Sequence, residues 1–223
     1  MRRTALRENS LSIVFGLLLL LALVAQAFVG LHGYNEAART EGLAPLDLWR
    51  YVTSSSFAVD VAENWQSEYL QFTLYILLTV WLVQRGSSES KPPEEVGLGS
   101  EETERIGRFA GPRSPAPARA GGFWAGAYSV SLTVVMATIF VLSWAAQAVA
   151  GRVAHNEERL RDLLDPLPLS AYLLDSDFWG RTLQNWQSEL LAVGSMAIFA
   201  VFLRQRGSPE SKEVGAPHDE TPG

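Results

Sequence analysis

The sequence predicts an all-α integral membrane protein: a four-helix bundle built from a tandem parallel repeat of one transmembrane helical hairpin. Three observations predict it. Residues 9–35, 69–84, 120–151 and 190–203 carry no charged side chain, although 19% of the 223 residues are charged. A shift of 121 residues lays 10–91 on 131–212 without a gap, and 32 of the 82 pairs are identical. Each copy holds two uncharged stretches, an even number, so both copies enter the membrane in the same direction. A pseudo-two-fold axis along the membrane normal then relates them.

Each element follows in order. Residues 1–9 form a short cytoplasmic N-terminus. The first hairpin spans 10–91. Its first helix, about 11–31, has the roughly 20 apolar residues that cross ~30 Å of hydrocarbon. Arg2, Arg3, the leucine run and Ala25-Gln26-Ala27 also read as a secretory signal with a cleavage site. The same Ala-Gln-Ala recurs mid-chain at 146–148, which argues for a retained helix. This helix can continue past Gly30 and Asn35-Glu36 to about Glu41, until Gly42 and Pro45 break it. In the outer connection, about 32–64, residues 46–53 carry Leu46, Leu48, Trp49 and Tyr51, an amphipathic piece suited to the lipid surface. Ser55 or Ser56 is the expected N-cap of the second helix. That helix crosses over about 65–84, with Trp65 as an interfacial anchor in the aromatic belt.

Residues 86–122 are rich in Gly, Pro, Ser and Glu and read as a flexible cytoplasmic linker, the repeat proper ending at 91. The second unit, 123–212, places helices at about 128–151 and 186–204 and an outer connection at about 152–185. Ser176 or Asp177 is its expected cap and Trp186 its anchor. Both copies end in Gln-Arg-Gly-Ser-x-Glu-Ser-Lys, which reads as a helix stop with arginine favoured by the helix dipole. Residues 213–223 read as a disordered tail. With the N-terminus inside, 12 of the 18 Lys and Arg fall on one side. Positive residues favour the cytoplasmic face, so both termini are expected there.

The copies match at Asn64-Trp65-Gln66-Ser67-Glu68 and Asn185-Trp186-Gln187-Ser188-Glu189. Counting ~20 residues back from Arg85 and Arg206 puts Glu68 and Glu189 about one turn below the outer surface. Gln26 and Gln147 sit one turn below Gly30 and Gly151, at about the same depth. The candidate site is therefore a polar layer of Gln26, Glu68, Gln147 and Glu189, flanked by Asn64, Ser67, Asn185 and Ser188. Such a layer can bind or pass a proton, a cation or a small polar solute. The plainer reading of the same residues is structural: hydrogen bonds across the hairpin, or glutamates at the first turn of a helix where the dipole favours them.

Composition excludes much else. There is no cysteine, so disulfides, thiolate metal sites and thiol catalysis are out. His32 and His155 occupy non-equivalent repeat positions and His218 lies in the tail, so no metal site is expected. Asp60 and Glu63 pair with Arg181 and Gln184 and are not duplicated. Ser54-Ser55-Ser56 reads as a turn and cap. There is no Gly-rich phosphate loop, no nucleophile elbow, and no basic stripe for nucleic acid. No cofactor is expected.

The start Leu6-Arg7-Glu8-Asn9-Ser10-Leu11, the doubled Asn-Trp-Gln-Ser-Glu and the doubled terminal motif resemble an uncharacterised bacterial membrane family, one of the domain-of-unknown-function families. The resemblance covers nearly the whole chain. It implies a multi-pass protein of the bacterial inner membrane and implies no activity. The expectation is a non-enzymatic accessory or interaction module, partnered by lipid and by a homo-oligomer or another membrane protein. The alternative is a small transporter or channel component that uses the Gln/Glu layer.

Overall fold

A computed structural model describes residues 6–222. Arg2 and Arg3, counted above for orientation, and Gly223 lie outside the described residues. The described chain is helical, with α1 Ser10–Thr40, α2 Leu48–Val52, α3 Ser55–Leu78, α4 Ala116–Ala120, α5 Gly122–Ser129, α6 Ser131–Arg161, α7 Leu169–Tyr172 and α8 Ser176–Phe202. Single 3₁₀ turns at Pro93–Glu95 and Gly107–Phe109 punctuate the linker.

Two helices, α1 and α6, are long and apolar enough to cross a membrane. In a soluble protein such helices lie mostly buried. Here only 6% and 11% of their apolar windows are covered by the rest of the chain. Leu17 to Leu21, Val24, Phe28 and Val29 each leave at least half their surface uncovered. Neither helix has a Pro, and both are dominated by residues whose side chains need an apolar surround.

The packing differs from the expected four-helix bundle. The most extensive pair is α3 with α6, and α8 lies against the same α3. Along its length α1 packs closely on α2 alone, with its C-terminal end tied to α6 by Glu41–Arg161 at 3.2 Å. Aromatic residues account for the difference. Trp144 of α6 stacks with Phe140 and Phe178 and meets Trp179 and Trp186, knitting α6 to α8. Offset arithmetic puts Leu19 and Leu23 on α1 where α6 has Phe140 and Trp144. The rigid, wide rings that fill the groove in the second half are missing from the first.

The local architecture nevertheless recurs 121 residues on. Asn35 donates to Leu46 O at 2.9 Å and accepts from Leu46 N at 2.7 Å, and Asn156 makes the same two bonds to Leu167 at 2.9 and 2.7 Å. Each asparagine thus clamps the chain just after its proline onto the preceding helix. Tyr51 lays its hydroxyl over Gly30, and Tyr172 over Gly151; a methyl group at either glycine would overlap the phenol oxygen. Tyr51 and Tyr172 are buried, 3% and 0% exposed, so residues 46–53 present Tyr51 to the protein and Trp49 outward.

Helix ends refine the expectations. α1 closes with Gly42 at φ +73 and bonds from Leu43 N to Ala38 O and from Gly42 N to Arg39 O. α6 closes with the same pair of bonds, from Leu164 to Arg159 and from Leu163 to Leu160, but Leu163 takes the left-handed conformation at φ +61 where glycine is favoured. The N-caps sit one residue earlier than the sequence suggested. Ser54 accepts from Phe57 N and Asp175 from Asp177 N, because these residues hold the extended backbone that a cap needs.

α3 also stops at Leu78, short of the expected 84, while α8 reaches Phe202, three residues beyond the equivalent point. The Thr79 hydroxyl bonds Tyr75 O at 2.7 Å and competes for the carbonyl of the last turn. Its counterpart in α8 is Ala200, the best helix former.

The doubled terminal motif closes a small loop in each half. Gln84 N donates to Ser90 Oγ, and Gln205 N to Ser211 Oγ, both at 2.9 Å. Lys91 Nζ then donates to Gly97 O, and Lys212 Nζ to the carbonyls of Pro217, His218 and Glu220. Residues 217–221 lie beside the first loop, where Gly86 N donates to Thr221 Oγ1 at 2.7 Å.

Candidate functional site

A polar seam runs between α3, α6 and α8. On α3, Val59, Ala62, Gln66 and Thr73 fall on one stripe at helical spacing, and all four are buried, together with Ser67. Facing them on α6 are Ser143, Gln147, Ala148 and Gly151, also buried. Small residues on both sides allow the close backbone approach that helices use in lipid.

Gln66 and Gln147 are each fully buried. Gln66 Oε1 accepts from Trp186 Nε1 at 2.7 Å. Gln147 Nε2 donates to Thr182 Oγ1 at 3.2 Å, and Trp144 Nε1 donates to the same oxygen at 3.3 Å. Gln66 Nε2 and Gln147 Oε1, one donor and one acceptor, have no hydrogen-bond partner among the described residues, nor has Arg152 Nε. Ser67 donates to Asn64 O at 2.9 Å and reaches Glu189 Oε1 at 3.5 Å. Chemically, the seam is a set of neutral amide, hydroxyl and indole groups bonded to one another or to their own helix backbone, with the Gln66 Nε2 amino group and Gln147 Oε1 to spare.

The structure brings only part of the expected polar layer together. Gln147 and Ser67 lie in the seam, and Glu189 reaches its edge through Ser67. Glu68 is exposed, as are Asn64 and Ser188. Gln26 is half-buried on α1, away from α3 and α8, and makes no hydrogen bond among the described residues. Asn64 and Asn185 donate back to Asp60 O and Arg181 O, one turn earlier in their own helices. Of the two anchors, Trp65 is exposed and Trp186 turns its indole N–H inward onto Gln66.

Reasoning from matched repeat positions missed Gln66, Thr182 and Trp144. Thr182 and Trp144 pair with Val61 and Leu23 and so carry no repeat signal. Gln66 had one, its match to Gln187, and it lies on the buried face of α3 with Ala62 and Thr73.

A charged cluster caps the seam at the N-terminal ends of α3 and α8. Arg181 contacts Glu63 at 3.2 Å, Asp177 at 3.3 Å and Asp60 at 4.0 Å. The Tyr172 hydroxyl donates to Asp177 at 2.8 Å. Burial pushes the carboxyls of Asp60 and Glu63 above their ordinary range, and Arg181 pulls them back only in part. Burial also opposes the charge on Arg181, but Asp177 and Glu63 outweigh it and raise its pKa. All three shift upward, which favours the charged form of Arg181 and the neutral form of the carboxyls, because one guanidinium is shared by three carboxylates: the cation gains from each, while each anion receives a fraction. Burial, then the bond to Asp177, raises the Tyr172 phenol. Asp60 and Arg181 share one repeat position with opposite charges, and Glu63 and Asp177 have Gln184 and Ser56 as counterparts, so the charges are not duplicated, yet α3 and α8 bring them together. No group of His, Cys, Asp and Glu among the described residues has the arrangement of a metal site.

Comparison with curated proteins and with solved structures gives no match. A family model does match, over residues 2–223, essentially the full length of the chain. The protein belongs to the family described as Domain of unknown function (DUF6766).

Proposed function

We propose that the protein is a non-catalytic accessory or interaction module of the bacterial inner membrane. It is built from two tandem copies of a hairpin, with four helices in the membrane and both termini in the cytoplasm. The recurrence of the asparagine clamp and of the tyrosine-on-glycine contact at a spacing of 121 residues supports the duplication. The uncovered apolar surface of α1 and α6 supports the membrane location.

One observation carries the functional reading. The buried polar side chains of the seam are neutral and are engaged with one another or with their own helix backbone; of the two glutamates of the expected layer, Glu68 is exposed outside the seam and Glu189 reaches only its edge. A proton or cation pathway needs ionisable groups turned toward a wet interior. A seam of neutral groups holds helices together, at ~1 kcal/mol or less per bond.

The second reading, a small transporter or channel component, is favoured by Gln66 Nε2 and Gln147 Oε1. These buried atoms retain hydrogen-bonding capacity for a polar solute. The double variant Glu68→Gln with Glu189→Gln, assayed for expression, folding and cellular phenotype, distinguishes the two. The module predicts all three unchanged from the wild type. Loss of phenotype in a normally folded double variant would overturn the module and favour transport.

A further inference from the structure

We propose that α1 of one copy of this chain packs on α8 of a second copy, in the mode that α6 and α3 already use within one chain. The inference rests on the duplication and deepens the interaction-module reading by naming the partner.

Within the chain, α6 covers α3. The pair buries Gln66 and Ser67 on α3 and Gln147 and Gly151 on α6, and at its outer end Ser55 Oγ donates to Glu157 Oε1 at 3.2 Å. Adding 121 to the α3 residues gives Gln187, Ser188 and Ser176 on α8. Subtracting 121 from the α6 residues gives Gln26, Gly30 and Glu36 on α1. All six pairs are identical in residue type. These polar and glycine positions of the largest contact in the molecule are therefore each present a second time, while Val59, Ala62 and Thr73 of α3 have Gly180, Leu183 and Gly194 as counterparts on α8.

The second set is uncovered. Gln187, Ser188 and Ser176 are exposed, where Gln66 and Ser67 are 0% and 1% exposed. Glu36 is exposed and Gln26 half-buried, where Gln147 is 0% exposed. The chain's own α1 does not fill the place. Its outer end is held by the Asn35 clamp, by Tyr51 over Gly30 and by Glu41–Arg161, and from there it packs on no other long helix. A half-buried amide such as Gln26, without a side-chain hydrogen-bond partner among the described residues, carries a desolvation cost that the α8 face of another copy would relieve.

Each copy offers one α1 face and one α8 face, so the contact is head-to-tail. It closes as a pair of chains exchanging α1 helices or as a larger ring.

The absence of native cysteine makes the test direct. Glu36→Cys is placed in one full-length, tagged chain and Ser176→Cys in another with a different tag. The two are co-expressed, and membranes are oxidised with copper phenanthroline. The control is Ser55→Cys with Glu157→Cys in a single chain, the contact from which the interface is drawn. The expected result is a disulfide-linked species at twice the monomer mass that carries both tags, together with an intramolecular disulfide in the control. Three results would overturn the proposal. Glu36→Cys with Ser176→Cys in one chain, diluted with cysteine-free chains, links only within that chain. Alternatively, the control links and the intermolecular pair does not. Or the control itself fails, which removes the internal packing and the duplication reading with it.

Discussion

Gly151 lies in the middle of a 31-residue helix, where alanine would ordinarily be preferred by up to about 1 kcal/mol. Here the order is reversed. An added methyl would run into the Tyr172 hydroxyl and would stand 3.2 Å from a Val59 methyl, so both the outer turn and the α3 contact would have to give. Overpacking of this kind costs about 1–3 kcal/mol. Gly151→Ala is therefore expected to lower thermal stability in detergent, and Tyr172→Phe in the same chain to restore part of the loss by removing the colliding oxygen. Gly151→Ala that stabilises, as at an open helix position such as Gly194, would show that the tyrosine does not close down on this glycine. The sequence made the matched glycines visible. It did not show that the partner of each is a tyrosine 21 residues on, because Tyr51 read as a lipid-facing member of an amphipathic segment.

Among the elements, the short helix after each long one is positioned chiefly by one asparagine. Asn156 satisfies both the N–H and the C=O of Leu167. Asn156→Ala leaves those backbone groups without their partners, at a cost of about 1–3 kcal/mol. Asn156→Asp removes the donor and sets a carboxylate against a carbonyl, so it is expected to be at least as damaging. Limited proteolysis in the 162–170 connection would report both, and indifference to either change would mean that the clamp does not hold the turn. Asn35-Glu36 recurs as Asn156-Glu157 at the 121-residue spacing, but the sequence does not show a clamp, since the hydrogen bonds span 11 residues. Helix ends were legible to within a residue or two where glycine or a capping side chain sets them, as at Gly42, Ser54 and Asp175. The early end of α3 was not, because one Thr hydroxyl against one Ala in the other copy decides it. The seam was legible only where the copies agree. Gln147 and Ser67 stand at matched positions and Thr182 and Trp144 do not, because α6 and α8 pack about α3 through residues that differ from their counterparts.

At the scale of the whole molecule, the Arg181 cluster ties the N-terminal ends of α3 and α8 together and gives the fold a pH dependence. A carboxyl that binds its proton more tightly when folded stabilises the fold at low pH, and that contribution fades as pH rises through its folded-state pKa. Asp60 and Glu63 are both of this kind, raised above 3.8 and 4.5. Stability should thus increase as pH falls from neutral toward the ordinary carboxylate range. Asp60→Asn with Glu63→Gln should flatten that increase, and an unchanged profile in the double variant would place the titration elsewhere.

The duplication makes a stronger demand on the whole molecule, that equivalent points of the two halves share a membrane side. Single cysteines at Thr53, Leu174, Ser100 and Val214 in intact cells, probed with a membrane-impermeant maleimide, test it most directly. The account predicts labelling of Thr53→Cys and Leu174→Cys from outside, and of Ser100→Cys and Val214→Cys only after permeabilisation. Thr53→Cys and Leu174→Cys on opposite sides, or Ser100→Cys labelled in intact cells, would contradict it.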